Sequence, residues 1–465
     1  MVSAHNLGRL ALRKPGLFLR PPATPNACLY DSLYIRVKIL YVSQYFPPEM
    51  GAPAARASEL AFHWAQAGHE VSVLTGFPNH PTGVVPPEWR GRLRRLIYHE
   101  QIFPGATAHT NAGRVDVFRT WLWPLPNRKA HERMRNYASF CISAALRGMF
   151  IPRPDVIIAS SPQLLVGLSG WWIAFTRRVP FVFEVRDLWP ESLAAVGVGD
   201  QNSLLHRALG VIAKFLYTRS DRIVVVTPAF QQHLMQHWSV PAEKIDVVEN
   251  GVEADLFAPA SSAANLALRK ELGAEGKFLI CYIGTMGMAH GLETLLDAAA
   301  RLQRGNSNAQ FLLVGEGAEK ARIQSLAQSL GLANLCFLDQ QPREKIPAFI
   351  SASDACLVLL KKTDVFKTVI PTKMLEFMSC ARPVILGVDG QARRIIEEAD
   401  AGLVIPPENA DALVDAIQQL SADRELGTAM GQKGRAYIQQ NLSRGRTAGK
   451  YIDVLQHLLR KPQSG

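Results

Sequence analysis

The chain has 465 residues, 48% of them hydrophobic, and a formal net charge of +11. That length predicts two domains with a core each, and the charge predicts anionic partners. The six cysteines form no C-x-x-C pair and no apolar run reaches the roughly 18 residues of a membrane span, which argues against a disulfide frame, a zinc site and a spanning helix. No helix-turn-helix, RNP or zinc-finger signature supports nucleic acid as the anion.

Residues 1–36 carry Arg9, Arg13, Lys14, Arg20 and four prolines without periodicity. The expectation is a disordered extension, or a start at position 37, since an apolar signal core and a cleavage site are both missing. A strand is predicted at Val37–Val42, then a Pro/Gly loop from Ser43 to Pro53 and a helix through Ala67-Gly68. Further strands are predicted at Glu70–Leu74, Val115–Arg119, Val156–Ala159, Phe181–Glu184, Ile223–Val226 and Ile245–Val248. Short apolar strands between helices mean a buried parallel sheet.

Basic and apolar side chains mix at Arg90–Arg95 beside Trp89, and from Arg128 and Lys129 through Arg133 and Arg135 to Arg147. That composition suits an anionic membrane surface, or else a solvated face. Residues 256–276 are polar and strandless and read as a linker between a first domain, 37–255, and a second, 277–440. The pattern restarts at Phe278–Ile283, with strands at Gln310–Val314, Cys336–Leu338, Ala355–Leu360, Pro383–Leu386 and Gly402–Ile405. A helical segment, 441–465, closes the chain and is expected to pack back on the first domain. The fold class is therefore α/β: two Rossmann-like, doubly wound parallel sheets facing a cleft, with ligands at the carboxyl ends of the strands.

The strongest chemical signal is Pro371-Thr372-Lys373-Met374-Leu375-Glu376. Spacing of three puts Lys373 and Glu376 on one face of a helix's first turn, where free amides already favour an anion. A phosphate beside a carboxylate that can accept from paired hydroxyls is what a nucleotide-sugar needs. The plain alternative is an ordinary first-turn Glu beside a solvated Lys. Gly315-x-Gly317 follows a strand, but Lys320 stands where a dinucleotide fingerprint needs its third glycine.

Taken together, these residues resemble the glycosyltransferases of family 4, with the GT-B fold. The likeness is carried by Tyr45–Arg56, by Ser220–Pro228, by Val240–Ile245 with Asn250-Gly251-Val252, by Leu313–Gly317 and by the Glu376 helix. Glu184–Glu191 and Gly284–Gly287 resemble the bacterial polysaccharide subfamily, which includes colanic acid and O-antigen fucosamine transferases. The resemblance implies a retaining transferase that moves a sugar from a nucleotide-sugar, UDP rather than GDP, to a glycan or polyprenyl-linked acceptor. It implies no required cofactor or metal, consistent with the missing Asp-x-Asp. It also implies work in the cytoplasm, peripheral on the inner face of the membrane.

Donor contacts are expected from Gly51, Arg56, Gly284, Thr285, His290, Gly315, Lys367, Thr372, Lys373 and Glu376, and catalytic roles from Glu184, Arg186 and Asp187. The sequence departs from the family's pattern at Thr368, Thr285, His290 and Arg186, so Lys373, Lys367, His290 and loop amides are expected to rebuild the diphosphate contacts. Two other readings use the same architecture: a nucleotide-sugar 2-epimerase, and a catalytically silent binding subunit.

Overall fold

The computed structural model describes residues 36–49, 51–79, 83–92, 97–102, 113–125, 130–191 and 203–460. The expected N-terminal extension, apart from Arg36, lies outside the described residues, as do Arg94, Arg95, Arg128 and Lys129.

The first half alternates β1 (Lys38–Val42), α1 (Ala52–Gln66), β2 (Glu70–Gly76), α2 (Pro87–Arg90), β3 (Ile97–Ile102) and β4 (Val115–Thr120). It continues with α3 (Ala130–Gly148), β5 (Val156–Ser160), α4 (Val166–Arg177), β6 (Phe181–Val185), α5 (Leu204–Arg219), β7 (Arg222–Val225), α6 (Pro228–Trp238) and β8 (Ile245–Val247). The second half runs α7 (Ser262–Glu271), β9 (Phe278–Ile283), α8 (Glu293–Arg304), β10 (Ala309–Val314), α9 (Lys320–Ser329) and β11 (Leu335–Leu338). Then come α10 (Ile346–Ala352), β12 (Ala355–Leu359), α11 (Thr372–Ser379), β13 (Val384–Gly387), α12 (Gln391–Ala399) and β14 (Gly402–Val404). The chain closes with α13 (Ala410–Ala422), α14 (Arg424–Tyr437) and α15 (Arg444–Arg460).

Among the described residues these strands form two sheets, ordered β3-β4-β2-β1-β5-β6-β7-β8 and β11-β10-β9-β12-β13-β14. Strands such as β6, Phe-Val-Phe-Glu-Val, are buried along their whole length, because helices cover both faces of a parallel sheet. In the first sheet α3, α4 and α5 cover one face through Phe140, Ile173 and Leu216. The other face is covered by α1 and, from the far end of the chain, by α15, through Trp64, Tyr451 and Leu455. In each sheet the strand order reverses once, between β1 and β5 and between β9 and β12, which opens a crevice at the carboxyl ends. Both sheets belong to one compact unit.

Strand β3 was not among the predicted strands. It is the edge strand, antiparallel to β4, and the polar His-Glu-Gln at the centre of its Ile-Tyr-His-Glu-Gln-Ile breaks any apolar run. The segment before it also removes Trp89 from the expected membrane contact. Trp89 is buried and meets Phe77 and Tyr98 edge-on, with Arg92 and Arg119 guanidinium carbons 4.8 and 4.6 Å from its ring centre. A tryptophan enclosed in this way has no free face to offer a bilayer. The stretch read as a linker carries α7, which packs on α10, and Phe257 is fully buried. No described helix is long and apolar enough to cross a membrane.

Candidate active site

The second sheet's crevice is built by the loops after β9 and β12. The loop after β12 ends at α11, whose first turn holds Thr372 and Lys373 and whose N-terminus has no side-chain cap. The Met374 amide turns back to the Pro371 carbonyl at 3.0 Å, and the amides before it are the helix's donors for an anion. The Lys373 ammonium nitrogen is shut off from solvent, has no hydrogen-bond partner, and stands 3.9 Å from the Tyr282 ring centre. Burial pulls its pKa from 10.5 down to about 7, against the pull of Glu376 and Cys281 in the other direction.

The loop after β9 presses its backbone against this lysine. Gly284 has φ +132°, and a Cβ there would lie 3.6 Å from the Lys373 nitrogen. Gly315, at the end of β10, has φ +146°, and its Cβ would sit 2.1 Å from the Gly284 carbonyl oxygen. Only glycine permits that approach and that backbone together. Backbone bonds from Gly284 to Val314 (2.9 Å) and from Met286 to Glu316 (2.8 Å) lock the two loops together. Thr285 is exposed, and its carbonyl accepts from the Tyr282 hydroxyl at 2.6 Å.

His290 was expected to supply a cation. Burial, and then the neighbouring Lys373 charge, push its pKa from 6.5 to about 4, so the imidazole is neutral in this state. Its Nδ1 lies 3.3 Å from the Gly287 carbonyl oxygen. Lys367 is exposed and pairs with Asp364 at 2.7 Å. It lines a shallow depression with Lys361, Phe366 and Asp389, of which Lys373 is not part.

Glu376 sits one turn into α11. Its carboxylate accepts from Arg343 at 3.2 Å, and burial raises its pKa from 4.5 to about 7. Arg343 also donates to Glu59 on α1 at 2.6 Å, and Glu59 accepts from Arg444 of α15 at 2.7 Å. Arg343 thus bridges the two halves directly beside Glu376. It lies on a polar turn, Pro342-Arg343-Glu344-Lys345, with no local pattern to single it out from sequence. The Thr227 hydroxyl makes a second tie between the halves, donating to the Thr368 carbonyl at 3.0 Å.

Across the cleft the expectation for Arg56 is corrected. Its five N–H donors go to Glu184 through Nε and Nη2 at 3.0 and 2.7 Å, to the Val248 and Glu249 carbonyls at 3.2 and 3.1 Å, and to Asn250 Oδ1 at 3.1 Å. None is left for a phosphate. Glu184 is wholly buried, and its second oxygen accepts from the Tyr41 hydroxyl at 2.8 Å, so it is a core ion-pair partner rather than a group facing the reaction. The arginine's charge holds its carboxyl below the usual range despite burial.

The strand end after β6 does reach the cleft wall. Arg186 donates from its backbone to Ser161 Oγ at 2.8 Å and from its guanidinium to the Ala52 carbonyl at 3.3 Å, beside Gly51. Gly51 opens α1 with φ +123°. Asp187 follows, half-buried, its carboxyl raised from 3.8 to about 6 by burial although Arg186 opposes the shift. The structure therefore brings Gly284, Gly315, His290, Lys373 and Glu376 together on one side, and Gly51, Arg186 and Asp187 on the other.

Comparison with known proteins gives the same architecture. Residues 51–251 match the family model "Glycosyl transferase 4-like domain", and residues 265–437 match "Glycosyl transferases group 1". The chain is 23% identical over 430 residues to the Escherichia coli K12 protein WcaI, named for colanic acid biosynthesis glycosyl transfer, covering 90% of this chain and 100% of that one. It is 24% identical to the Mycobacterium tuberculosis GDP-mannose-dependent α-(1-6)-phosphatidylinositol monomannoside mannosyltransferase, covering 90% and 98%. Among solved structures, sucrose-phosphate synthase from Thermosynechococcus elongatus superposes with a TM-score of 0.67 at 21% identity over 91% of this chain and 99% of that one. Anabaena HepE in complex with UDP-glucose superposes at 0.65 and 18% identity over 91% and 100%. The two family models between them take in most of both sheets, and the chain accordingly belongs to the family 4 glycosyltransferases of GT-B fold.

Proposed function

We propose that the protein transfers a glycosyl group, with retention of configuration, from a nucleotide-sugar to a glycan or polyprenyl-linked acceptor in cell-surface polysaccharide synthesis. The observation that carries this is Lys373: a buried side-chain nitrogen with no hydrogen-bond partner, at an uncapped helix start, against a glycine loop whose backbone comes within reach. An unsatisfied buried charge is costly alone and is relieved by a bound diphosphate. The donor is read as a UDP-sugar, which the likeness to HepE, solved with UDP-glucose, supports, while the mycobacterial relative is named for GDP-mannose. The likeness to WcaI favours polysaccharide assembly.

In this reading Lys373, Thr372 and the Gly284 and Gly315 loops hold the diphosphate, and Glu376 accepts from the ribose hydroxyls once Arg343 yields to them. The bond from the sugar's C1 to the diphosphate oxygen breaks, and the acceptor oxygen bonds to C1 on the same face. The acceptor's proton passes to the departing phosphate. Asp187 and Arg186 orient the acceptor. The charge of the leaving group is met by Lys373 and helix amides, so no cofactor or metal is required. In this reading the enzyme works at the inner face of the cytoplasmic membrane.

Titration of the full chain with UDP and with GDP, read by thermal shift, tests this. At a hundredfold excess over Kd, UDP should add about 2.7 kcal/mol of stability, and a smaller gain is expected from GDP. No shift with either nucleotide would defeat the proposal.

A further inference from the structure

Three helices on one face of the first sheet leave an apolar ledge in solvent. Phe150 is 75% exposed, Phe175 65%, Ile142 63% and Val211 70%, and Leu146 and Trp172 join them. Such a cluster on a protein surface is unusual and marks an interaction site. The ledge is continuous because the helices touch. A Cβ on Gly148, at the end of α3, would lie 2.2 Å from Ile173 Cδ1 on α4. Trp171 on α4 meets Phe215 on α5 edge-on at 4.8 Å and stacks on Phe175 at 5.6 Å.

Charge settles what covers it. The three helices carry three Lys/Arg on α3, one on α4 and three on α5, against a single acid, Glu132. Arg207 and Lys214 flank Val211 at helical spacing, and both are exposed. A second copy of this face would meet it with like charge. A bare polyanion would have no use for exposed phenylalanines. An anionic lipid bilayer uses both, aromatic and aliphatic groups at the acyl boundary and cations at the headgroups.

We infer that the α3–α4–α5 face is a membrane-docking surface for anionic lipid, with Phe150 and Phe175 as its inserting side chains. It takes in the Arg133, Arg135 and Arg147 part of the basic stretch that begins at Arg128, and it rests on the proposed membrane location only for its biological use.

The test is sedimentation of the full chain with vesicles of phosphatidylglycerol mixed with phosphatidylcholine, and with phosphatidylcholine alone. Wild-type protein should bind the mixed vesicles at low salt and release at high salt. Withdrawing two aromatic side chains from the interface, as Phe150→Gln with Phe175→Gln, should lower partitioning at least about 100-fold. Arg207→Glu with Lys214→Glu should weaken binding to the mixed vesicles at low salt. Every substituted side chain is exposed, so the melting temperature and the UDP-induced shift should stay at wild-type values; the latter reads the nucleotide site separately. Wild-type vesicle binding in the phenylalanine variant would overturn the inference. So would equal binding to both vesicle types, or a wild-type dimer in light scattering that the same variant splits.

Discussion

Lys373 faces opposite demands in the empty and the filled site, and substitution separates them. Lys373→Met removes a buried amine with no hydrogen-bond partner, so the ligand-free protein should gain about 1–3 kcal/mol, the range for relieving an unsatisfied buried polar group. The same change should cost about 2 kcal/mol of UDP affinity, within the range for hydrogen bonds to charged groups. A variant that melts lower and binds UDP as before would remove Lys373 from the site. The pH dependence has a definite sign. A lysine whose pKa is depressed from 10.5 to about 7 contributes stability that is full above 10.5 and lost as pH falls through about 7. Binding runs the other way, because a diphosphate needs the ammonium form. Above about pH 7 the neutral amine must take up a proton, so UDP affinity should fall with rising pH, by up to about tenfold per unit. Glu376 also titrates at about 7, and its ionisation weakens anion binding too. Calorimetry in buffers of different ionisation enthalpy, on wild type and on Glu376→Gln, would separate the two protons. Proton uptake absent from both proteins would show that Lys373 is already charged. Glu376→Ala itself should abolish donor binding while the fold stands, since Arg343 keeps Glu59 as its partner.

At the scale of elements, the strands were legible wherever they were apolar runs, and β9 at Phe278–Ile283 is the plainest case. Strand β3 was not, because the polar His-Glu-Gln at its centre leaves no apolar run to read. Lys373 and Glu376 were legible because both lie within one helical turn. Arg343 was not, because its meaning comes from Glu59 on the other sheet's first helix, far away in sequence. Arg56 shows the reverse error. It closes the Tyr45–Arg56 stretch that carries the family likeness and was expected to contact the donor, yet its guanidinium joins α1 to β6 and to the Val248–Asn250 crossing. Arg56→Ala should therefore cost stability, about 3–5 kcal/mol for breaking a buried pair. The UDP-induced shift at the same UDP concentration should not change. Chemical denaturation with and without UDP measures both, and a stable variant that no longer binds UDP would restore Arg56 to the donor site.

At the scale of the molecule, the two halves are fastened by more than the chain crossing at Asn250-Gly251-Val252. Val252 pairs with Ser443 in an isolated parallel bridge, and the Arg444 amide donates to the Val252 carbonyl at 2.8 Å. From there α15 runs back over α1. The Trp64 indole donates to the Ala448 carbonyl at 3.1 Å and meets the Tyr451 ring edge-on at 5.2 Å, and Leu455 is fully buried in the same cluster. The last helix of the chain thus completes the core of the first sheet, so that sheet cannot be finished until the second half has been made. This dictates how the protein unfolds. Removing the Tyr451 side chain, as Tyr451→Ala, should cost about 3–5 kcal/mol, the range for deleting a buried aromatic group. Because Trp64 and Tyr451 touch, Trp64→Ala and Tyr451→Ala should fall short of additivity when combined. The wild-type chain should unfold in one calorimetric transition, and a chain ending at Ser443 should show a separate, earlier transition for the first sheet. Two transitions in the wild type, with the earlier one unmoved by Tyr451→Ala, would show that α15 is a surface attachment and that the first sheet is complete without it.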